Sequence, residues 1–566
     1  MLHAANLIRV ARGELPADLV LHNAQVVNTV TASIDHADVA IYEGLIAGVG
    51  TYNEGSEHID LDGDYLLPGL VDGHTHIESS MLHPARYAEA VVPRGTLTLV
   101  TDLHEIANAC GLDGIEFVIR WSHRIPLDML FMAPSCVPAT SLETSGAELG
   151  PAAIRQLLAR PEVIGLGEVM NYPGVLSTSP DVMDKIEAAK ERPIDGHAPG
   201  LRGADLNAYL AAGIMSDHEC TTREEAEEKL RKGMWLMLRE GSSEKNVEEL
   251  LPAVTDSTFH HCMFVVDDRT AADLAREGDI DHVVRRAIAL GMNPIRAIQL
   301  ATYTPARYFR MYDRGSIAAG KIAHLITVRD LHSFVVDRVF HRGRLVTQNG
   351  QPLFSVTPDC HELTDTVRLA PTALESLRMA RTGSEFPVIE LVPGQIITRK
   401  RIMAPAVRDG AFVSDVARDI LKLVVAERHR GTGNVGKGFV TGFGLQRGAL
   451  ASTIGHDSHN VICVGVTDED IAGAIDALQR MQGGLVVFAD GAVKAALPLP
   501  IGGLLSPEPL TMVIEAQTQV EEAARQLGVG PQSPFSLLSF LALPVIPELR
   551  VTDLGVVDVA AFRVIA

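Results

Sequence analysis

Short alternations of apolar and polar residues open the chain. DLVLHNAQVVN from Asp18 and DVAIYEGLIAGVG from Asp38, set apart by polar and glycine turns, predict a small β unit ending near Asp62. From about Leu66 to Arg310 the rhythm changes. Short apolar runs alternate with helical stretches such as DGIEFVIRWSHR and REEAEEKLRKG, the pattern of repeated βα units built on a parallel sheet. Eight runs qualify as strands: LLPGLVDGHTHI, TLTLVTDLHE, DMLFMAPSCV, VIGLGEVM, PIDGHAP, IMSDHEC, MWLMLREGS and HCMFVVDD. Eight predicts a closed (β/α)8 barrel. Nearly every run ends in His, Asp, Glu, Ser or Arg, at the strand ends where such barrels carry their chemistry.

After a single predicted helix, PIRAIQLATYTPARYF, the segments RGSIAAGKIAHLITVRD and VDRVFHRGRLVTQNG return to strands and turns, as though the opening β unit were completed after the barrel. The first domain is therefore expected to be discontinuous. Beyond about Pro358 a third region is expected, of α/β or α+β type. Its elements are a helix over DVARDILKLVVAERH, strands over HNVICVGV and GGLVVFADGAVKAAL, and a second helix over DEDIAGAIDALQRMQGG. There is no repeat of fixed period and no low-complexity tract.

Composition narrows the class. The chain has 566 residues, 46% apolar and 21% charged, which suits a folded protein with a sizeable core. Lys and Arg number 49 against 71 Asp and Glu; the net charge of −22 repels phosphate backbones and anionic bilayers, so neither nucleic acid nor membrane is an expected partner. No apolar run reaches the roughly 18 residues that span a bilayer, and LLSFLALPVI is interrupted by Pro544. Arg9, Arg12 and Glu14 interrupt the opening apolar residues, so no secretory leader is expected. Cys110, Cys136, Cys220, Cys262, Cys360 and Cys463 form no CxxC pair, which argues against a disulfide framework or a cysteine zinc site and points to the cytoplasm.

The candidate chemistry lies at the strand ends. His74 and His76 are two apart in a predicted strand, so both face one side and can share a metal ion through imidazole nitrogens. His197, His218 and Asp267 close later strands and would converge with that pair on one rim. Imidazoles with a carboxylate suit zinc, iron or manganese. Glu168 ends the fourth strand and could bridge two ions. Such ions lower the pKa of bound water from about 15.7 toward 7, which points to hydrolysis. A leaving amine also needs a proton carrier, and Asp267, Glu105, His104 and Glu219 are the candidates, each equally readable as an orienter of a ligand.

LLPGLVDGHTHIESSM, TDLHEIAN, APSCVPAT, GLGEVMN, DGHAPG, SDHECT, MLREGS, DDR, and later GHDSHN with LPLPIGGLLS, resemble the bacterial adenine deaminases of the amidohydrolase superfamily, in the family's order and over nearly the whole chain. The resemblance implies a distorted (β/α)8 TIM barrel over 66–310 and a composite β-sandwich over 1–65 plus 311–355. It implies an additional C-terminal domain over 360–566. It also implies hydrolysis of adenine to hypoxanthine and ammonia by a metal-activated hydroxide, with a binuclear centre of Mn2+ or Fe2+, or Zn2+. His74, His76, Glu168, His197, His218 and Asp267 fall where the superfamily's ligands fall. Asp267, Glu105 and Glu219 are then the catalytic candidates, and Asp268, Arg239, Ser242 and His104 the substrate contacts, with Arg239 and Ser242 equally readable as fixing their loop. A homodimer or larger homo-oligomer is the expected assembly.

The chain departs from the family's usual pattern in two places: Val265 and Val266 precede the DD pair where a polar residue is usual, and His324 follows Ala323 where an Ala-Asp turn is usual. Neither removes a proposed ligand. Dihydroorotases and hydantoinases of the same barrel class commonly bridge their metals with a carboxylated lysine, which the fourth strand lacks. Hydrolysis of another 6-substituted purine or a cyclic amidine or amide remains an alternative, as does an inactive metal-binding paralogue with an assembly role. GTGNVGKG lacks the Ser or Thr that a phosphate loop needs after Lys437. His456, Asp457 and His459 can be read as a lid over the barrel mouth, a second metal site or a capped turn.

Overall fold

The computed structural model describes residues 2–359, 361–371, 377–393 and 395–566. Strand Ala17–Asn28 pairs antiparallel with Ser33–Tyr42, and its end lies parallel to Tyr65–Pro68. Tyr65–Pro68 pairs in turn with the returning strand Leu325–Val328, with Val328 opposite Tyr65. The opening and returning segments therefore share one nine-stranded sheet. The LLP of the first predicted barrel strand belongs to this sheet, because Gly69 breaks the run before the next strand begins.

Eight parallel strands follow: β1 (Leu70–Thr75), β2 (Thr96–Asp102), β3 (Asp128–Ala133), β4 (Val163–Val169), β5 (Ile194–Gly196), β6 (Ser216–Asp217), β7 (Trp235–Arg239) and β8 (Cys262–Val265). β1 to β5 form a five-stranded sheet and β6 to β8 a three-stranded one. Thr75 and Asp267 make a parallel bridge between β1 and the end of β8, and Met215 N donates to Ile194 O at 2.9 Å on the opposite margin. β1 and β2 are buried throughout, as expected for parallel strands covered on both faces. Val71, Val100, Met132, Met237, Met263 and Val265 pack together with Tyr308 and Phe309.

β2 stops at Asp102 rather than running to Glu105. His104 instead starts a helix, His104–Ser122, bent where Gly111 takes a φ of 62°. The single helix expected over 294–309 is two, Pro294–Leu300 and Tyr303–Tyr308. Pro305 has no N–H to continue a ladder and sits in the first turn of the second helix, where none is required.

A larger correction falls in the C-terminal region. The helix predicted over DVARDILKLVVAERH is a short 3₁₀ turn, Val416–Arg418, followed by a strand, Leu421–Ala426. All six residues of that strand are buried, and it is paired on both sides, with Val435–Thr441 and Val461–Gly465, inside an eight-stranded sheet. Tertiary pairing on two edges outweighs a helical reading of a short apolar run. The other predicted helix is present as Asp468–Met481, its first turn capped by the Thr467 hydroxyl accepting from Asp470 N at 3.1 Å.

This region seats on the rim of the parallel strands: Ser506 bridges to Leu82, Asn460 Nδ2 donates to Thr144 O at 2.7 Å, and Thr552 Oγ1 donates to Leu142 O at 2.6 Å. No described helix is long and apolar enough to cross a membrane. Cys110, Cys136, Cys220, Cys262 and Cys463 are free thiols, and Cys360 lies outside the described residues.

Candidate active site

The site is assembled from backbone outward. Within β1, Asp72 Oδ1 accepts from His74 N of its own strand at 3.2 Å and from Val266 N, just past β8, at 3.3 Å, so one buried carboxylate ties the two strand ends together. Asp267 holds a left-handed backbone with φ 60°, uncommon for a residue with a Cβ. Three contacts hold it there: its N–H donates to His74 O at 3.0 Å, and its carbonyl accepts from Thr75 Oγ1 at 3.0 Å and His76 N at 3.3 Å. The turn swings the Asp267 carboxylate back over the HxH pair, with Oδ1 3.6 Å from His74 Nε2 and 3.3 Å from His76 Nε2.

Glu168, at the end of β4, stands at the centre. Its Oε1 lies 3.8 Å from His74 Nε2 and 3.2 Å from His76 Nε2; its Oε2 lies 2.7 Å from His197 Nδ1 and 3.5 Å from His218 Nε2. Asp102 holds this arrangement from beneath. Its carbonyl accepts from His76 Nδ1 at 2.9 Å, leaving the Nε2 lone pair directed inward, and its Oδ2 accepts from Glu168 N at 3.0 Å. Any side chain at Gly167 would collide with that carboxylate, so a glycine is needed there.

The donor set suits a divalent cation. Ligand atoms of His74, His76 and Glu168, of His74, His218 and Asp267, and of Glu168, His197 and His218 lie within 4.8 Å of one another in each group. Glu168 belongs to two of the three. His74 Nε2 and His218 Nδ1 are buried without a hydrogen-bond partner, a costly state in the absence of a ligand. Burial pushes the Glu168 carboxyl up, but hydrogen bonds from His197 and His76 and the charge of His218 reverse this and hold it well below the ordinary range. Burial, reinforced by the charge of His74, lowers His218 to about 4, whereas for His74, His76 and His197 burial is outweighed by the neighbouring carboxylates, which raise the imidazoles.

The remaining sequence candidates divide. Arg239 is buried and paired with Glu219 and with Asp267 Oδ2, at 2.7 Å from the latter, so its guanidinium orients carboxylates. Glu219 Oε1 in turn lies 3.4 Å from His218 Nε2 and 3.7 Å from His197 Nδ1. Ser242 Oγ accepts from Thr270 N at 2.9 Å and so ties its own loop to that after β8. His104 packs edge-on to His76 at 4.6 Å between centroids, with Nε2 3.4 Å from Glu105 Oε1. Asp268 accepts from the Ser79 hydroxyl and lines, with Glu105, Asp267 and Ser242, a cavity of about 450 Å³ between the β-strand rim and the C-terminal region. Burial and the neighbouring Asp267 charge raise the Asp268 pKa.

Several site residues escape sequence reasoning. Asp102 and Asp72 act through backbone contacts, and Ser79 through its hydroxyl on Asp268, none of which any spacing announces. Glu78, beside the HxH pair, is buried, accepts from Ile106 N at 3.1 Å and is raised to about 7 by burial. Its position two residues after His76 was the available signal. His456 and His459 from the C-terminal GHDSHN segment both meet Glu105.

Residues 65–346 match the amidohydrolase family, and the parallel strands with a histidine–carboxylate cluster at their ends place the molecule in that class of metal-dependent hydrolases. Residues 395–563 match the adenine deaminase C-terminal domain. A Dehalococcoides mccartyi protein named adenine deaminase is 53% identical over 564 residues, covering 99% of this chain and 98% of the relative. Adenine deaminase 2 of Carboxydothermus hydrogenoformans is 49% identical, with 99% and 98% covered, and the adenine deaminase of Methanothrix thermoacetophila 46% identical, with 98% of each covered. The chain belongs to the adenine deaminase family.

Proposed function

We propose that this chain hydrolyses adenine to hypoxanthine and ammonia. The observation that carries the reading is Glu168 set between two pairs of histidines in a chain that matches adenine deaminases along 99% of its length. In this reading the two parallel sheets make one closed, distorted (β/α)8 barrel over 66–310, with the β-sandwich over 1–65 plus 311–355 and the C-terminal domain over 360–566. The Thr75–Asp267 bridge and the Met215–Ile194 hydrogen bond support closure.

His74, His76 and Asp267 with Glu168 would hold one divalent ion, and His197 and His218 with Glu168 a second, of manganese, iron or zinc. When bound, such ions lower the pKa of water from about 15.7 toward 7 and polarise the carbon under attack. Arg239 engages Asp267 Oδ2, leaving Oδ1 to take a proton from the attacking water and return it to the departing amine. Glu219, tied to Arg239, keeps His197 and His218 in place. Asp268, steadied by Ser79, contacts the purine, while His104 packs against His76 and Glu105 rather than lining the cavity, and the loop of Ser242 and the C-terminal region cover the base. Glu105, the other sequence candidate for proton transfer, lines the same cavity but is hydrogen-bonded to His456. The free thiols fit the reducing cytoplasm.

The test is to load purified protein with manganese, iron or zinc and follow the adenine-to-hypoxanthine absorbance change alongside a panel of 6-substituted purines. Turnover of adenine ahead of the panel is expected; no turnover with any of the three metals overturns the reading. Light scattering on the same sample should give a homodimer or larger homo-oligomer.

A further inference from the structure

Glu105 is buried at the rim of the parallel strands, yet both of its carboxylate oxygens face imidazoles of the C-terminal region. Oε1 lies 2.7 Å from His456 Nδ1, and Oε2 meets His459 Nε2. The segment carrying these histidines is held from several sides. Arg428, fully buried, donates to the carbonyls of His459, Gly502 at 3.0 Å and Thr366 at 3.1 Å; His429 Nε2 donates to Ser458 O at 2.7 Å; His456 N donates to Ser539 O at 3.2 Å. The His456 ring stacks on Phe540 at 4.7 Å between centroids and 19° between planes. Its Nδ1 is occupied by Glu105. Its Nε2 has no hydrogen-bond partner among the described residues, and the residue lines the same cavity as Asp267 and Asp268.

Glu105, His456 and His459 are close enough to hold a cation, but the hydrogen bonding argues otherwise. His459 Nδ1 accepts from Gly455 N at 3.3 Å, so in the neutral ring Nε2 carries the proton and has no lone pair to offer a metal. Glu105 Oε1 is hydrogen-bonded by His456 Nδ1, while the His459 ring lies against Oε2.

We infer that His456 is a substrate-binding residue contributed by the C-terminal region, donating from Nε2–H to an unprotonated ring nitrogen of the purine, with Glu105 and His459 as its positioning residues. The inference rests on the adenine-deaminating reading above. Burial disfavours a charged His456, but the Glu105 carboxylate reverses this and raises it to about 9, so the ring is a donor at both nitrogens near pH 7. A hydrogen bond from a charged donor discriminates strongly against a ligand that lacks the acceptor.

The experiment uses full-length, metal-loaded protein as wild type, His456→Phe, which keeps an aromatic ring on Phe540, and His456→Gln, which keeps an N–H. KM and kcat for adenine are compared with inhibition constants for 3-deazaadenine and 7-deazaadenine, with metal content and circular dichroism measured on each sample. The expected result is a KM raised about 10- to 100-fold in His456→Phe, a smaller change in kcat, and partial recovery in His456→Gln. One deaza analogue should bind wild type more weakly than adenine by a similar factor and lose that penalty in His456→Phe. The inference is overturned if neither analogue is penalised by wild type, which needs no variant to fold. It is equally overturned if the penalties of variant and analogue multiply, if KM is unmoved, or if a variant loses an equivalent of metal. A wild type that turns over no adenine removes the functional reading itself, whereas turnover with an unmoved KM removes only the role of His456.

Discussion

Two carboxylates on the same parallel strands each sit between imidazoles, at opposite ends. Glu168 near the end of β4 faces His74, His76, His197 and His218. Asp128, the first residue of β3, faces His324 Nε2 at 3.1 Å and His341 Nε2 at 3.0 Å, whose rings stack at 4.6 Å. By residue type both are candidate metal sites, and in both the ligand atoms of a carboxylate and two histidines lie within 4.8 Å of one another. Their surroundings separate them. Asp128 also receives Arg314 at 3.2 Å and Arg342 at 2.9 Å, and His324 Nδ1 accepts from Arg342 N at 3.3 Å. Two guanidiniums already neutralise that carboxylate, and the His324 lone pair is spent. At the rim, the nearest guanidinium is turned to Asp267 and Glu219, and buried ring nitrogens remain unpartnered. The cluster around Asp128 is a latch between the parallel strands and the returning sheet, and His324 sits inside it.

The strongest way to break the comparison is at the rim. Glu168→Gln and His197→Ala should each lower adenine turnover by at least about 10³-fold, since the ion's contribution is worth several kcal/mol, and should reduce bound metal measured by elemental analysis. The fold should survive, because a rim ligand fills no core volume. Asp128→Ala should do the reverse. Removing the centre of a largely buried charge cluster strands Arg314 and should cost about 3 kcal/mol in urea unfolding, with metal content and turnover of the folded fraction unchanged. Third in size, Asp102→Asn should weaken metal affinity by about 10- to 100-fold in competition with a chelator, because the support of Glu168 N is disturbed while the ligands remain.

The smallest effect is a pH dependence at the Asp128 cluster. Burial is the main cause that takes His324 down to about 4 from 6.5; Asp128 is raised by burial but held well below 3.8 by its hydrogen bonds to His324 and His341 and by nearby positive charge. Both folded pKa values are therefore depressed. Their stabilisation is complete above about pH 6.5, falls as His324 would otherwise protonate between 6.5 and 4, and falls further below 3.8 as Asp128 is titrated. Asp128→Asn should flatten the slope of unfolding free energy against pH below about 4, measured as denaturant midpoints; an unchanged slope would remove the Asp128 latch from the acid limb.

Much of this was legible from local pattern. Apolar runs closed by polar residues located all eight parallel strands, and the two-residue spacing of His74 and His76 announced two imidazoles on one side. Asp468–Met481 was legible because an amphipathic period and a Thr cap agree. LKLVVA was not, since six apolar-rich residues suit either a helix or a buried strand until two neighbours pair with it. The role of Asp102 was hidden because it works through a carbonyl and through the space left by Gly167.

By itself, the order of residues determined which donors exist and which strand ends carry them, because side-chain periodicity is a local property of the backbone. Only the tertiary structure decided which donors are still free. A lone pair or carboxylate oxygen is consumed by whatever reaches it first in space: Glu105 is engaged by His456 from 351 positions away, and Asp128 by Arg342 from 214. Such engagements depend on how separate segments pack, which no local spacing encodes.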